Sequence, residues 1–445
     1  MGTLVMVGQL ILSLSILIVL HEGGHFIPAK LFGTRVDKFY LFFDPWFSLF
    51  KFKKGETEYG IGWLPLGGYV KIAGMVDESF DTEQLKEEPQ PWEFRSKPAW
   101  QRLIIMLGGV TVNFFLGMLI FSGMLWTWGT EYLPAEKAKY GLHPDSLGVK
   151  IGLVDGDKIL KIGDVPFDKF SSGLFRKEII VNGATSAQVK RDGKIVDIQF
   201  PKNVGEMVSS RATRAATLFD PIYPLIVVEP QKGSPAKKAG ILEGDKVVAI
   251  NGVPTPFFHQ VKSELIKNRG KKISISVLRN NERKNLELTV NEKAQIGVAI
   301  KHPYEILGSS TEKYSFAASI PAGFKMGWGT LTDQVKAIGQ MITNKISAKD
   351  NLGSVFTIAK AFGSVWSWQR FWNLTATLSL ILAFMNLLPI PALDGGHVMF
   401  LLYEVISGRK PNDKFMEYAT IAGFVFLVVL MIFIFGLDIW NNFIR

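Results

Sequence analysis

Residues 1–20 carry no charged side chain, and polar groups interrupt the run only at Gly2, Thr3, Gly8, Gln9, Ser13 and Ser15. A helix needs about 20 such residues to cross a hydrocarbon layer about 30 Å thick. Three more apolar stretches follow near residues 103–128, 371–388 and 418–435, the third continuing through a proline-broken segment toward Leu402. The first span is expected over residues 4–32. It lacks a basic start and a small-residue cleavage site, so it reads as a retained helix and not a removable signal. The pattern predicts an α-helical polytopic membrane protein with about four transmembrane helices.

Between the second and third spans the texture changes to charged, Gly-rich sequence. Gly152-Leu153-Val154-Asp155-Gly156-Asp157-Lys158-Ile159-Leu160-Lys161-Ile162-Gly163-Asp164-Val165-Pro166 is echoed by Gly240-Ile241-Leu242-Glu243-Gly244-Asp245-Lys246-Val247-Val248-Ala249-Ile250-Asn251-Gly252-Val253-Pro254. Each copy reads as a Gly-Asp turn, an apolar strand and a second tight turn. The alternation Ile273-Ser274-Ile275-Ser276-Val277 has the period of a half-buried strand. Two copies are too few for a solenoid, so two inserted β-rich domains are expected. The expected division is 1–128 for the first two spans with a β-loop region, 129–220 and 221–302 for the two β-rich domains, 303–370 for an amphipathic connector, and 371–445 for the last two spans. The connector carries Phe324, Trp328, Phe362, Trp366 and Trp368. It suits either the membrane interface or an ordinary packed helical linker.

The net charge of +10 over 445 residues is spread thinly. No dense basic run interleaves with aromatics, so nucleic acid is not an expected partner, and membrane lipid is the better use of that charge. The absence of cysteine excludes disulfides, a thiol nucleophile and Cys-ligated zinc. Lys51, Lys53, Lys54, Lys97 and Arg102 lie in one loop, and Arg409, Lys410 and Lys414 in another. With four spans these loops share a side, which the positive-inside rule makes cytoplasmic. The β-rich domains then face outward.

The first apolar run ends in His21-Glu22-Gly23-Gly24-His25. Helical residues four apart share a face, so both imidazoles can grip one metal ion, with Glu22 beside it to take a proton from water. Ionisable groups inside a membrane are costly and read by default as functional. A catalytic zinc needs about three protein ligands and an open position. Asn386-Leu387-Leu388-Pro389-Ile390-Pro391-Ala392-Leu393-Asp394-Gly395-Gly396-His397 ends the third span and offers Asp394 as the third ligand, with His397 as the alternative. Irregular backbone at such depth is tolerated only where protein buries it or it lines a wet cavity. The stretch from Tyr59 to Lys71 reads as short strands about a Gly67-Gly68 turn, and a strand edge near the metal could hold an unwound substrate by β-addition. A purely structural hairpin is the other reading.

The histidine pair, followed far downstream by Asn-x-x-Pro-x-Pro-x-Leu-Asp-Gly-Gly-His, resembles the site-2 protease family of intramembrane zinc metalloproteases. The repeated domains resemble bacterial PDZ domains, most clearly from Gly233 to Pro254. The resemblance covers nearly the whole chain. It implies Zn2+ held by His21, His25 and Asp394, Glu22 as catalytic base, Asn386 and Asn113 as substrate-positioning groups, and Gly67-Gly68 in a membrane-associated β-loop. Family members commonly place a Gly-Pro pair four residues before the second-span Asn, where this chain has Gly109-Val110. The implied activity is cleavage of single-pass membrane proteins, such as trimmed anti-sigma factors or signal-peptide remnants, within or near the transmembrane helix. The implied location is the bacterial inner (cytoplasmic) membrane. Two other classes fit less of the chain: a metal transporter, testable by zinc flux, and a PDZ scaffold with a structural metal, in which Glu22→Gln would be silent.

Overall fold

A computed structural model of the chain describes residues 2–65, 67–75, 88–210, 213, 216–347 and 355–439. The chain forms two compact units, one of Met1–Gly129, Lys313–Val335 and Leu352–Arg445, the other of Thr130–Glu312 and Lys336–Asn351.

The first unit begins with α1 (Gly2–Leu31), whose apolar run continues through the histidine pair. Strands β1 (Val36–Leu41), β2 (Phe43–Lys54), β3 (Thr57–Leu64) and β4 (Tyr69–Ile72) follow, and then α2 (Ala99–Trp128). The sheet order is β2-β3-β1-β4. The expected strands between Tyr59 and Lys71 are β3 and β4, but they do not form a hairpin. β1 lies between them, parallel to β3 and antiparallel to β4. Among the described residues β4 is therefore an edge strand.

The second unit opens with β5 (Thr130–Tyr132). Its first module runs through β6 (Leu142–Pro144), α3 (Ser146–Lys150), β7 (Lys158–Ile162), β8 (Val165–Pro166), α4 (Ser172–Ile180), β9 (Ser186–Arg191), β10 (Lys194–Gln199), α5 (Val204–Ser209) and β11 (Phe219–Pro221). Its second runs through β12 (Val227–Pro230), α6 (Pro235–Lys238), β13 (Lys246–Ile250), β14 (Val253–Pro254), α7 (Phe258–Lys267), β15 (Lys272–Arg279), β16 (Glu282–Thr289) and β17 (Val298–Ile300). After α8 (Pro303–Leu307), β18 (Ser310–Glu312) returns to pair with β5. The main sheets have matching orders, β8-β7-β9-β10 and β14-β13-β15-β16, and each module adds a two-stranded sheet, β6-β11 or β12-β17. Each has its own core, around Phe175, Val189 and Phe219 in the first and Val247, Ile275 and Val290 in the second. Equivalent short helices are capped alike: the Asp145 side chain accepts from the Leu147 and Gly148 amides, and Ser234 from that of Lys237.

The chain ends in α9 (Phe316–Ile342), α10 (Val355–Phe362), α11 (Trp368–Leu387), α12 (Asp394–Ser407) and α13 (Asp413–Ile439). Among the described residues, three helices are long and apolar enough to cross a membrane: α1, α2 and the Lys414–Gly436 stretch of α13. The expected third span coincides with α11, which falls outside that group because Gln369, Arg370 and Asn373 stand in its first turns. Its buried face carries two hydroxyls among Phe371, Ala376, Leu380 and Ala383. Thr375 meets Ser13 of α1 with oxygens 2.9 Å apart, and Ser379 donates to the Asn113 carbonyl of α2 at 2.7 Å. Where lipid removes the hydrophobic drive between helices, such bonds and close packing hold a bundle together. Within the expected connector α9 and α10 are helical, and the first part of α9 packs on α2. Ser319, Gly323 and Gly327 form its buried stripe, and the Ser122 hydroxyl donates to the Ile320 carbonyl at 3.3 Å.

Candidate metal centre

Helical spacing puts His21 and His25 on one face of α1, and both are buried. That face meets α2 at a crossing without side chains. A Cβ on Gly108 would sit 1.8 Å from the Gly24 carbonyl oxygen, and one on Gly109 would sit 2.3 Å from His25 Nε2 and 2.6 Å from His21 Cε1. Only glycine lets α2 come this close, so Gly24, Gly108 and Gly109 shape the site as much as the histidines do. Reading the chain one segment at a time missed this role, because a glycine in an apolar run carries no mark of the helix it faces.

Asp394 enters from the other end of the sequence as the first residue of α12, after the chain leaves α11 through 388–393. Ala392 in this turn has φ 90°, a left-handed conformation rare outside glycine. Buried Arg102 of α2 pairs with Glu404 of α12 and ties the two helices together. The result is a triangle of candidate donor atoms. His21 Nε2 lies 3.2 Å and His25 Nε2 3.4 Å from Asp394 Oδ2, and the two Nε2 atoms are 3.3 Å apart. A tetrahedral zinc held at about 2.0–2.1 Å by each ligand requires donor atoms about 3.3 Å apart. The donor set therefore fits zinc in both chemistry and spacing. His397, one turn further along α12, is not part of this cluster.

The surroundings orient the rings. His25 Nδ1 is 2.8 Å from the Ile105 carbonyl of α2, which leaves Nε2 facing the triangle. Asn113 is fully buried, with Nδ2 3.1 Å from His21 Nδ1. Asn386, near the end of α11, has Nδ2 3.1 Å from His21 Nε2 and 3.5 Å from Asp394 Oδ2. Gly68, just before the edge strand β4, reaches the same place. A Cβ there would meet Ile18 Cγ2 at 2.4 Å and Glu22 Cγ at 3.5 Å. Gly67 lies one residue further from the site, beside the Phe43 ring. The structure thus gathers His21, Glu22, His25, Asn113, Asn386, Asp394 and Gly68 around one point. Three donors that suit a cation, a glutamate beside them and a strand nearby are the equipment a metallohydrolase uses.

The comparisons agree. The family model for peptidase family M50 matches residues 9–430. Over 460 residues the chain is 27% identical to the regulator of sigma-E protease of Salmonella typhimurium, covering 98% of this chain and 97% of that protein. It is 27% identical over 472 residues to a protease of Yersinia pestis, with 98% and 97% covered. A Neisseria meningitidis protein whose name places it among zinc metalloproteases is 27% identical over 451 residues, with 96% and 97% covered. With that match across nearly all its length, the chain belongs to peptidase family M50, the site-2 protease family, and is a zinc-dependent membrane metalloprotease.

Proposed function

We propose that the protein is an intramembrane endopeptidase that cuts single-pass membrane proteins within or near the transmembrane helix. The observation that carries this reading is the triangle of His21, His25 and Asp394 beside Glu22, in a bundle whose helices α1 and α2 are long and apolar enough to span a bilayer. In this reading those three residues are the zinc ligands. The chemistry zinc supplies at such a site is Lewis acidity, which acidifies water and polarises a peptide carbonyl. Glu22 takes the proton as water oxygen bonds to the carbonyl carbon, and delivers it to the amine as the C–N bond breaks. Asn113, buried behind His21, holds that ring, and Asn386 and Gly67-Gly68 position the substrate from the accessible side.

A peptide bond inside a helix is shielded by its own hydrogen bonds, so the substrate must be unwound before attack. The outer edge of β4 suits that task, because a strand added there satisfies the unwound backbone. α11 serves as the fourth span, its polar groups sheltered against α1 and α2. Exposed Trp46, Phe47, Leu49, Phe50 and Phe52 on the β-loop suit contact with lipid. The two β-rich modules act as PDZ-like domains at 129–220 and 221–302, on the outer face of a bacterial cytoplasmic membrane, where they admit substrates already trimmed outside. Relatives include a regulator of sigma-E protease, which suggests trimmed anti-sigma factors as substrates, with signal-peptide remnants as a second class.

The test is cleavage of a pre-trimmed single-pass substrate in membranes by wild type and Glu22→Gln. Loss of cleavage by a folded, zinc-loaded variant supports the reading. Equal cleavage by both removes Glu22 from the chemistry.

A further inference from the structure

Two of the six histidines meet in the second unit, far from each other in sequence. His143 is the middle residue of β6, fixed by its pairing with Asp220 of β11. His259 stands in the first turn of α7. Its neighbour Phe258 donates its amide to the Tyr223 carbonyl at 2.9 Å and stacks on the Tyr223 ring at 5.3 Å. These contacts press the two imidazoles face to face, with centroids 4.1 Å apart and planes 15° from parallel. Asp155, in the first copy of the repeated Gly-Asp turn, divides its carboxylate between them. Oδ1 lies 2.7 Å from His143 Nδ1 and Oδ2 lies 3.5 Å from His259 Nε2.

We propose that His143, Asp155 and His259 form a second metal site, for a divalent cation of borderline softness such as Zn2+ or Ni2+, that fastens the two β-rich modules together. One donor atom from each residue lies within 4.8 Å of the other two. Two imidazoles and a carboxylate are a ligand set that such cations take readily. The arrangement leaves few alternatives for its charge. Protonating both stacked rings would set two like charges against each other beside a single carboxylate. One dication uses both ring lone pairs and compensates Asp155. A cleft of about 280 Å³ lined by His143, Asp220, Tyr223, His259 and Lys262 gives an ion access from solvent. Because the rings are nearly parallel, one must turn about its Cβ–Cγ bond for both lone pairs to converge. Its partial exposure permits that turn: the His143 side chain is 42% accessible. His143 and Asp155 belong to the first module and His259 to the second, so binding resists any parting of the two.

Full-length protein in detergent, equilibrated with Zn2+ and freed of unbound metal, should carry two equivalents by elemental analysis. His259→Ala and Asp155→Asn should each carry one, and so should Asp394→Asn, through loss of the other site. Wild type holding one equivalent, or His259→Ala and Asp155→Asn both holding two, overturns the proposal. A second readout needs no variant. Zn2+ should protect His143 and His259 of the wild type from acylation by diethyl pyrocarbonate, mapped by mass spectrometry. Labelling of both that Zn2+ leaves unchanged also overturns it.

Discussion

Arg279 and Asp245 form a two-pronged ion pair, with Nε 2.8 Å from Oδ1 and Nη2 2.7 Å from Oδ2, and Arg191 repeats it on Asp157 at 2.8 Å for both prongs. Both pairs join residues 34 positions apart. The arginines also reach equivalent carbonyls, Gly240 and Gly152, and each aspartate accepts from the amide three residues earlier. The repeated Gly-Asp turn is thus an anchoring device in each module, with its aspartate sealed inside.

Arg279→Ala should destabilise the second module by about 2–3 kcal/mol, since it leaves a buried carboxylate without its partner while water reaches part of the gap. Burial pushes the Asp245 carboxyl up, but the Arg279 bonds and the Leu242 amide outweigh it and hold it below its ordinary value. A carboxyl depressed on folding stabilises fully above its unfolded value, about 3.9, and loses that contribution as pH falls through the folded one. The stability gap between wild type and Asp245→Asn or Arg279→Ala should therefore be full above about pH 4 and shrink as the pH falls below it. Hydrogen exchange over β13 and β15 between pH 3 and 6 would read it, and coincident profiles would contradict it.

Gly109→Ala should empty the metal centre. The added methyl would overlap both imidazoles, and the backbone carrying it is pinned by the Gly24–Gly108 contact. Zinc content should fall by the one equivalent this centre holds, and cleavage should fall with it by about tenfold or more, with the protein still inserted. Full zinc occupancy in this variant would show that the rings can retreat.

Asn113 has its Oδ1 buried with no partner among the described residues, while its Nδ2 faces His21 Nδ1. A metal on His21 Nε2 leaves the proton on Nδ1, and a half-turn of the amide brings Oδ1 round to accept it. Asn113→Ala should then weaken zinc binding by about 10–100-fold, as loss of a ligand's outer partner does. A raised KM with unchanged zinc affinity would instead mark Asn113 as a contact for substrate.

The Ala73 amide donates to the Arg35 carbonyl, so strand alternation turns the Val70 N–H toward the open edge of β4. Val70→Pro removes that donor and no sheet bond. Cleavage of an intact transmembrane helix should drop well below wild type, while an already unwound peptide is cut nearly as well. Equal loss on both would assign the defect to folding.

The grouping of the main site's candidate residues was legible because its spacing is local. His21 and His25 need only one helix, and Asp394 follows an apolar stretch whose proline break marks backbone that must be buried in protein or face water. The modules were legible because Gly152–Pro166 and Gly240–Pro254 echo each other. What stayed hidden depends on which surfaces meet. The parallel pairing of β1 with β3 separates β3 from β4, and no local pattern marks it. Ser13, Thr375 and Ser379 look like imperfections in apolar runs until α11 is set against α1 and α2. His143 and His259 carry no mark of each other at all.

The glycine crossing of α1 and α2 sets two of the proposed metal donors apart from the third. Two donors stand on a helix whose backbone touches its neighbour's at Gly24 and Gly108, so their Cα positions are fixed by that contact. Asp394 arrives alone, after an irregular turn with a left-handed alanine. In the proposed clasp the histidine pair is one jaw, set by the helix crossing, and Asp394 is the other, set by the turn before α12.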